Sequence, residues 1–154
     1  MIVEKLMEEV RKGFGVERIK AARELGKLGD RRAVEALVEA LKDQNWAVRS
    51  NAAFSLAELN ATETAAYIIP LLKDQEIRVR KSAAKAMGIL GSKITVKPLI
   101  GALADESPDV RKSAARSLGQ IGDPTAEGPL RIAASDPDAS VSGMARKALL
   151  SLGK

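Results

Sequence analysis

The sequence predicts an all-α solenoid, on three observations. Residues repeat with a 31-residue period: Val48-Arg49, Val79-Arg80 and Val110-Arg111 stand 31 apart, and the next step lands on Val141-Ser142. Within each period the apolar positions fall at helical spacing, and cap residues stand where those helices must begin and end. Sustained alternation of period two is nowhere visible, so strands have no support.

In chain order, residues 1–13 form an N-terminal capping helix with Val3, Leu6, Met7 and Val10 along one face. Four helical hairpins follow at 16–43, 47–74, 78–105 and 109–136, and residues 140–154 close the array as a C-terminal capping helix. The first helix of each hairpin, the A helix, carries Val48, Ala52, Leu56 and Leu59 in the second unit. Their spacing of i, i+4, i+8 and i+11 puts them on one face. The same columns hold Ala21, Ala83, Ala114 and Ala145; Leu25, Met87, Leu118 and Leu149; and Leu28, Leu90, Ile121 and Leu152. Gly29, Gly91, Gly122 and Gly153, with Asn60 as the one substitute, stop each A helix, because Gly and Asn enter the left-handed conformation cheaply. Asp30, Ser92 or Asp123 caps the second, or B, helix, whose apolar residues in the first unit are Val34, Leu37, Val38 and Leu41. Asn45, Ser107 and Asp138 cap the following A helix, and Pro108 takes the favoured first helical position. Pro98 and Pro129 lie in first turns, whereas Pro70 stands inside a B helix and should kink or shorten it. The reading is ten helices in a single domain, 1–154.

Composition excludes most catalytic chemistry. With neither cysteine nor histidine in the chain there is no disulfide, no thiolate metal site and no Cys nucleophile, and the usual general base is missing. No phosphate-cradling Gly-Lys loop and no nucleophile elbow is present. We therefore expect a non-enzyme with no metal and no cofactor. Met1-Ile2-Val3 runs straight into Glu4 and Lys5, leaving no apolar core for a signal peptide. The longest apolar run, Ala65 to Leu72, is interrupted by Pro70 and falls far short of the roughly 20 residues that span a bilayer. A cytoplasmic protein that does not enter membranes is expected. Few Asn and Gln, no Cys and many Lys, Arg and Glu point to a thermophilic source.

The runs Val79-Arg80-Lys81-Ser82-Ala83-Ala84-Lys85-Ala86-Met87-Gly88-Ile89-Leu90-Gly91 and Gly29-Asp30-Arg31-Arg32-Ala33-Val34-Glu35-Ala36-Leu37 resemble the short HEAT-like repeats named after phycobilin lyases. Archaeal HEAT-like proteins and the artificial α-helical repeat scaffolds built from them are similar. The resemblance covers roughly 1–154 and implies a right-handed α–α superhelix whose B helices line the concave surface. Asp43, Asp74 and Asp105 each precede Arg49, Arg80 and Arg111 by six residues. The resemblance implies a structural ladder in which each Asp ties an inter-unit turn to the Arg of the next A helix; equal spacing agrees, since an active site is needed once. The pairs Ala52-Ala53, Ala83-Ala84 and Ala114-Ala115 are small enough for close helix approach. HEAT-like deoxyhypusine hydroxylases are similar in organisation, but their iron site uses His-Glu pairs and cannot be built here. Nothing in the chain marks a bilin site. In the last B helix the columns of Val34 and Val38 become Glu127 and Arg131, the Leu41 column becomes Ala134, and Arg146 answers Ala115 in the last A helix. This reads as a polar terminal cap of a complete domain.

Two surfaces are left as candidates. On the B helices the repeat lapses: Arg32, Glu35 and Glu39 in the first unit are answered by Tyr67, Pro70, Ile94 and Lys97 in the middle units. A partly apolar patch with one Tyr and a charged rim has the composition of a protein-binding site; a solvated face shaped by drift is the alternative. On the A helices, Lys81, Lys85, Lys112, Arg116 and Lys147 form a basic stripe, in the half (78–147) that holds 12 basic against 7 acidic residues. Such a stripe could follow a phosphate backbone, although no aromatic is interleaved for base stacking and exposed Lys is a common solubility device. Trp46, beside the Asn45 cap, either anchors a partner or covers adjacent helix ends. The expectation is a monomeric or weakly dimeric scaffold with a protein partner, a nucleic-acid-binding protein standing as the second reading and an accessory subunit of an enzyme complex as the third.

Overall fold

The computed structural model describes residues 1–153; Lys154, the last residue of the expected C-terminal segment, lies outside the described residues. Ten α-helices alternate with turns and short 3-10 segments: α1 (Ile2–Lys12), α2 (Gly15–Leu28), α3 (Val34–Ala40), α4 (Trp46–Glu58), α5 (Ala65–Ile68), α6 (Ile77–Leu90), α7 (Val96–Ala102), α8 (Pro108–Ile121), α9 (Glu127–Ala133) and α10 (Ala139–Ser151). No strand occurs among the described residues. Even-numbered helices form the A row and odd-numbered ones the B row. Successive A helices pack along one another, α2 on α4, α4 on α6, α6 on α8 and α8 on α10, whereas contacts between successive B helices are sparse.

The expected columns are the core. Ala21, Ala52, Ala83, Ala114 and Ala145 are all fully buried, as are Val48, Val79, Val110 and Val141. Leu25, Leu56, Met87 and Leu118 fill the space between rows. Leu28 departs from its column and is 43% exposed, because only α1 precedes its unit and no further A helix covers it. Gly29, Gly91, Gly122 and Gly153 all have positive φ, and Asn60 is the one non-glycine residue among the described ones to do so, with φ 52°. Each expected helix stop therefore uses the left-handed conformation its residue type permits. Asp30, Asn45, Asp123 and Asp138 accept from backbone N–H groups of the turn they open. Ser92 and Ser107 hold cap positions without a side-chain bond. Each of the four B helices in the hairpins opens with a three-residue 3-10 turn. Pro70 acts as its missing N–H dictates: α5 is four residues long and continues as a 3-10 segment, Ile69–Lys73, where α3, α7 and α9 keep seven.

Close packing of the A row depends on a column of minimal side chains. A Cβ added to Gly119 would stand 2.9 Å from the Cα of Ala148, and one on Gly26 or Gly88 would stand 2.7 or 2.8 Å from the Cβ of Ser55 or Ser117. Those two serines use the proximity. Ser55 Oγ donates to the Ala22 carbonyl and Ser117 Oγ to the Ala84 carbonyl, both at 2.6 Å in buried surroundings.

The Asp–Arg ladder exists, with a different pairing from the expected one. Each carboxylate binds the Arg 25 residues before it: Arg18 with Asp43, Arg49 with Asp74, Arg80 with Asp105 and Arg111 with Asp136, the closest contacts being 2.8 or 2.9 Å. The Asp six residues before an Arg contributes only its backbone carbonyl, at 2.8–2.9 Å for Arg49, Arg80 and Arg111. The hairpin explains the correction, since folding the B helix back returns the end of a unit to the start of its own A helix. Each carboxylate also accepts the N–H two residues on, as Asp74 does from Glu76. Burial pushes the Asp74 carboxyl up; hydrogen bonds from Arg49 and Glu76, with the charges of Arg49 and Arg80, outweigh it and leave the group below the usual carboxylate range.

Candidate functional site

On the B-helix face all seven expected residues, Arg32, Glu35, Glu39, Tyr67, Pro70, Ile94 and Lys97, are exposed. The first unit is tied to the helix before it. Glu39 takes a two-point contact from Arg11 of α1 at 2.9 and 3.0 Å, and Arg32 bridges Asp30 and Glu4. The bond from Arg11 holds the Glu39 carboxyl below its ordinary range. These charges close α1 onto α3, and Glu35 stands beside them.

The middle units offer apolar surface instead. Because successive B helices scarcely touch, hollows remain between them. One of about 490 Å³ is lined by Ile69, Pro70, Leu72, Pro98 and Gly101, with Lys73 and Asp105 at its edge. A second of about 400 Å³, lined by Ile100, Leu103, Pro129 and Ile132, adjoins it at Ala104. Of the seven expected residues, Pro70 lines this trough. Tyr67, 58% exposed, precedes Pro70 by three residues and so shares its side of the segment; Ile94 and Lys97 lie at the start of α7, with Lys97 next to Pro98. Ile69, Ile100, Leu103, Gly101 and Ile132 extend the surface toward the last unit. Gly101 and Ile132 stand 31 and 62 residues after Pro70 and so share its column, beyond the patch of Tyr67, Pro70, Ile94 and Lys97 expected from the sequence. The trough's floor has no one-residue signature, since it arises from the gap between helices.

On the A-helix face, Lys85, Arg116 and Lys147 are exposed, and Lys81 and Lys112 are half-buried. The expectation that no aromatic interrupts the stripe is overturned: Phe54, 31 residues before Lys85, stands in the same column, is 42% exposed, and lines a hollow with Lys85, Ile89 and Arg116. Trp46 lies under the Arg78 guanidinium, 4.7 Å from ring centroid to cation, so an intramolecular stack covers one of its faces.

Taken together, these features define an α-solenoid of tandem helical hairpins with a tight A row, an open B row and a ladder of arginines along the turns. The chain belongs to the HEAT-repeat family, matching HEAT repeats over residues 3–66, 42–106 and 96–154. Among solved structures, one from the complex of CpcE and CpcF of phycocyanin lyase from Nostoc sp. PCC7120 is similar, with TM-score 0.89 and 24% identity over 99% of this chain and 65% of that chain. The protein thus spans less than two thirds of that lyase chain's length. A designed armadillo repeat protein in complex with the peptide (KR)4 matches with TM-score 0.74 and 16% identity over 97% of this chain and 81% of that one. An engineered protein matches with TM-score 0.71 and 22% identity over 97% and 78%. These likenesses concern the fold. No curated protein sequence matches the chain at a significant level. No helix among the described residues is long and apolar enough to cross a membrane.

Proposed function

We infer that the protein is a non-enzymatic scaffold that holds an apolar segment of a partner protein in the trough between its B helices. The observation that carries this reading is the trough itself. It is open and apolar, runs across three successive units and has Lys73 and Asp105 in its lining, while exposed Tyr67 stands three residues before Pro70 and exposed Lys97 next to Pro98, an apolar centre with polar groups around it. Two neighbours of the fold support it by what their names state, one being part of a CpcE–CpcF complex and the other holding a peptide. A tight A row sets the spacing of the units, so the trough is pre-formed and little ordering opposes binding.

The reading is tested by panning a random peptide library on the protein and measuring the selected peptides by calorimetry. Gly101→Arg fills the trough without strain, because nothing lies within 4 Å of a Cβ at Gly101. Selected peptides should be rich in apolar residues and lose about 30-fold or more in affinity with Gly101→Arg or Tyr67→Ala, the size of a central anchor. Peptides that bind the wild type and both variants equally would refute the placement.

A further inference from the structure

The outer face of the A row holds a feature the scaffold reading does not use. Twelve basic side chains have a carboxylate partner, the four ladder arginines with Arg11, Arg31, Arg32, Lys5, Lys12, Lys27, Arg78 and Arg131, while seven others, Lys73 and Lys97 among them, have none among the described residues and do not share a hollow with another cation. Lys81, Lys85, Lys112, Arg116 and Lys147 make no ion pair among the described residues, although the first four converge with Asp109 on a single small hollow of about 110 Å³ between α6 and α8. Four cations thus face one carboxylate. Partial burial holds the Lys85 ammonium below its usual range, with the charges of Lys81, Arg116 and Lys112 adding to it. Such a cluster raises the free energy of the fold unless an anion neutralises it.

The form of that anion follows from the neighbouring surface. Arg116 lines three adjoining hollows: the basic one, the one it shares with Phe54 and Ile89, and one it shares with Gln120 and Lys147. Phe54, Lys85, Arg116 and Lys147 stand on α4, α6, α8 and α10, so the track crosses four packed helices spaced about 8–10 Å apart. A point anion would use one hollow. A linear polyanion uses all of them, and only one that also carries flat apolar groups uses the exposed Phe54 ring and the Ile89 side chain, since bases stack on aromatics while phosphates meet Lys and Arg. A run of acidic side chains offers charge without stacking, and duplex DNA keeps its bases stacked on one another and away from an exposed ring.

We propose that the Phe54–Lys85–Arg116–Lys147 track is a binding site for single-stranded nucleic acid. Phosphates lie over Lys81, Lys85, Lys112 and Arg116, one base stacks on Phe54, and the strand continues toward Lys147. The site is on the opposite row from the trough and stands or falls separately from it.

Fluorescence anisotropy with labelled oligo-dT and oligo-rU of about 12 nucleotides, at about 50 and 200 mM salt, tests this. The double variant Lys85→Glu with Arg116→Glu is compared with Lys73→Glu with Lys97→Glu, an equal charge change on the B row, and each is checked for folding by its thermal melt. The first pair should weaken binding at least 10-fold more than the second and reduce the salt slope by about 1.4, two phosphate contacts at about 0.7 each on a single strand. Phe54→Ala should weaken binding several-fold with an unchanged salt slope, because it removes stacking and no charge. A labelled oligo-glutamate of equal charge and a 12-base-pair duplex should bind more weakly than either single strand. Preference for RNA or DNA identifies the source of the strand and leaves the site standing. The proposal is overturned if neither oligonucleotide binds at the lower salt, if the two charge variants lose affinity equally, if Phe54→Ala has no effect, or if oligo-glutamate or the duplex binds as tightly.

Discussion

Replacing Arg80 with alanine should destabilise the protein far more than removing an exposed ion pair. The Arg80 side chain is 9% exposed and makes two contacts with Asp105, Nε to Oδ2 at 2.9 Å and Nη2 to Oδ1 at 3.3 Å, while Nη1 donates to the Asp74 carbonyl at 2.9 Å. The substitution strands a carboxylate that is itself 11% exposed and frees the carbonyl that fixes the preceding turn. Breaking a buried pair from one side costs about 3–5 kcal/mol, and an orphaned buried polar group about 1–3. The Asp105 carboxylate keeps the Ser107 N–H, and the turn can admit water, so a loss of about 2–4 kcal/mol is expected. For a chain of this size each kcal/mol moves the melting temperature by roughly 2–4 °C, giving a drop of about 5–15 °C. Arg131→Ala supplies the comparison. Its partner Glu127 is four residues away on the same helix, and the two side chains are 70% and 47% exposed, so its removal should cost under about 0.5 kcal/mol. Arg80→Lys should fall between, keeping charge and losing the fork. Thermal melts of the three variants decide the matter. Equal melting temperatures for Arg80→Ala and Arg131→Ala would refute the view that the ladder bears stability.

Three further outcomes follow from the same geometry. Gly119→Ala should destabilise by about 1–3 kcal/mol because its Cβ meets the α10 backbone, whereas Gly101→Ala, with open space around it, should stabilise by up to about 1 kcal/mol through helix propensity; denaturant melts with the order reversed would contradict the packing of the A row. Lys85→Gln should raise the melting temperature at neutral pH, since the folded state disfavours the ammonium. That advantage should shrink as pH rises from the depressed folded value through the ordinary lysine value near 10.4, where the wild type loses its charge as well; a lower melting temperature at pH 7 would sink it. The ladder carboxyls Asp74 and Asp136 sit below their ordinary range, so their stabilisation is complete above about pH 4 and is lost as pH falls through the folded values. Urea midpoints should therefore drop on acidification below about pH 4 in the wild type and drop less in Asp74→Asn, which is the less stable of the two at neutral pH.

Periodicity made the helices, their stops and most of the core legible from sequence, because a left-handed helix stop, four times Gly and once Asn, or a buried alanine is a local demand repeated five times over. Pro70 was legible for the same reason. The ladder was visible as a column, but two carboxylates, one six residues before each Arg and one 25 after it, satisfy the same period, and only the return path of the hairpin selects between them. Arg18 and Asp136, its first and last members, went unseen because they lack the neighbouring half of the motif. Phe54 was hidden by a different cause: its column is marked by the charges of Lys85, Arg116 and Lys147, and the aromatic occupies the one unit where the charge is absent. The trough was illegible in principle from single residues, since it reports how far apart the B helices stand, which the glycines and serines of the opposite row determine.

Each ladder arginine holds the carbonyl of the turn before its helix and the carboxylate of the turn after its hairpin, so the clasp travels with the unit. Excising residues 47–77 would place Arg80 six residues after Asp43, where it meets the carbonyls that Arg49 met, and would leave its grip on Asp105 intact. Duplicating the same stretch would insert one more arginine and one more aspartate, already matched. Such a chain can change length in whole units without inventing a stabilising contact, and the number of units then becomes the dimension along which the reach of its two faces evolves.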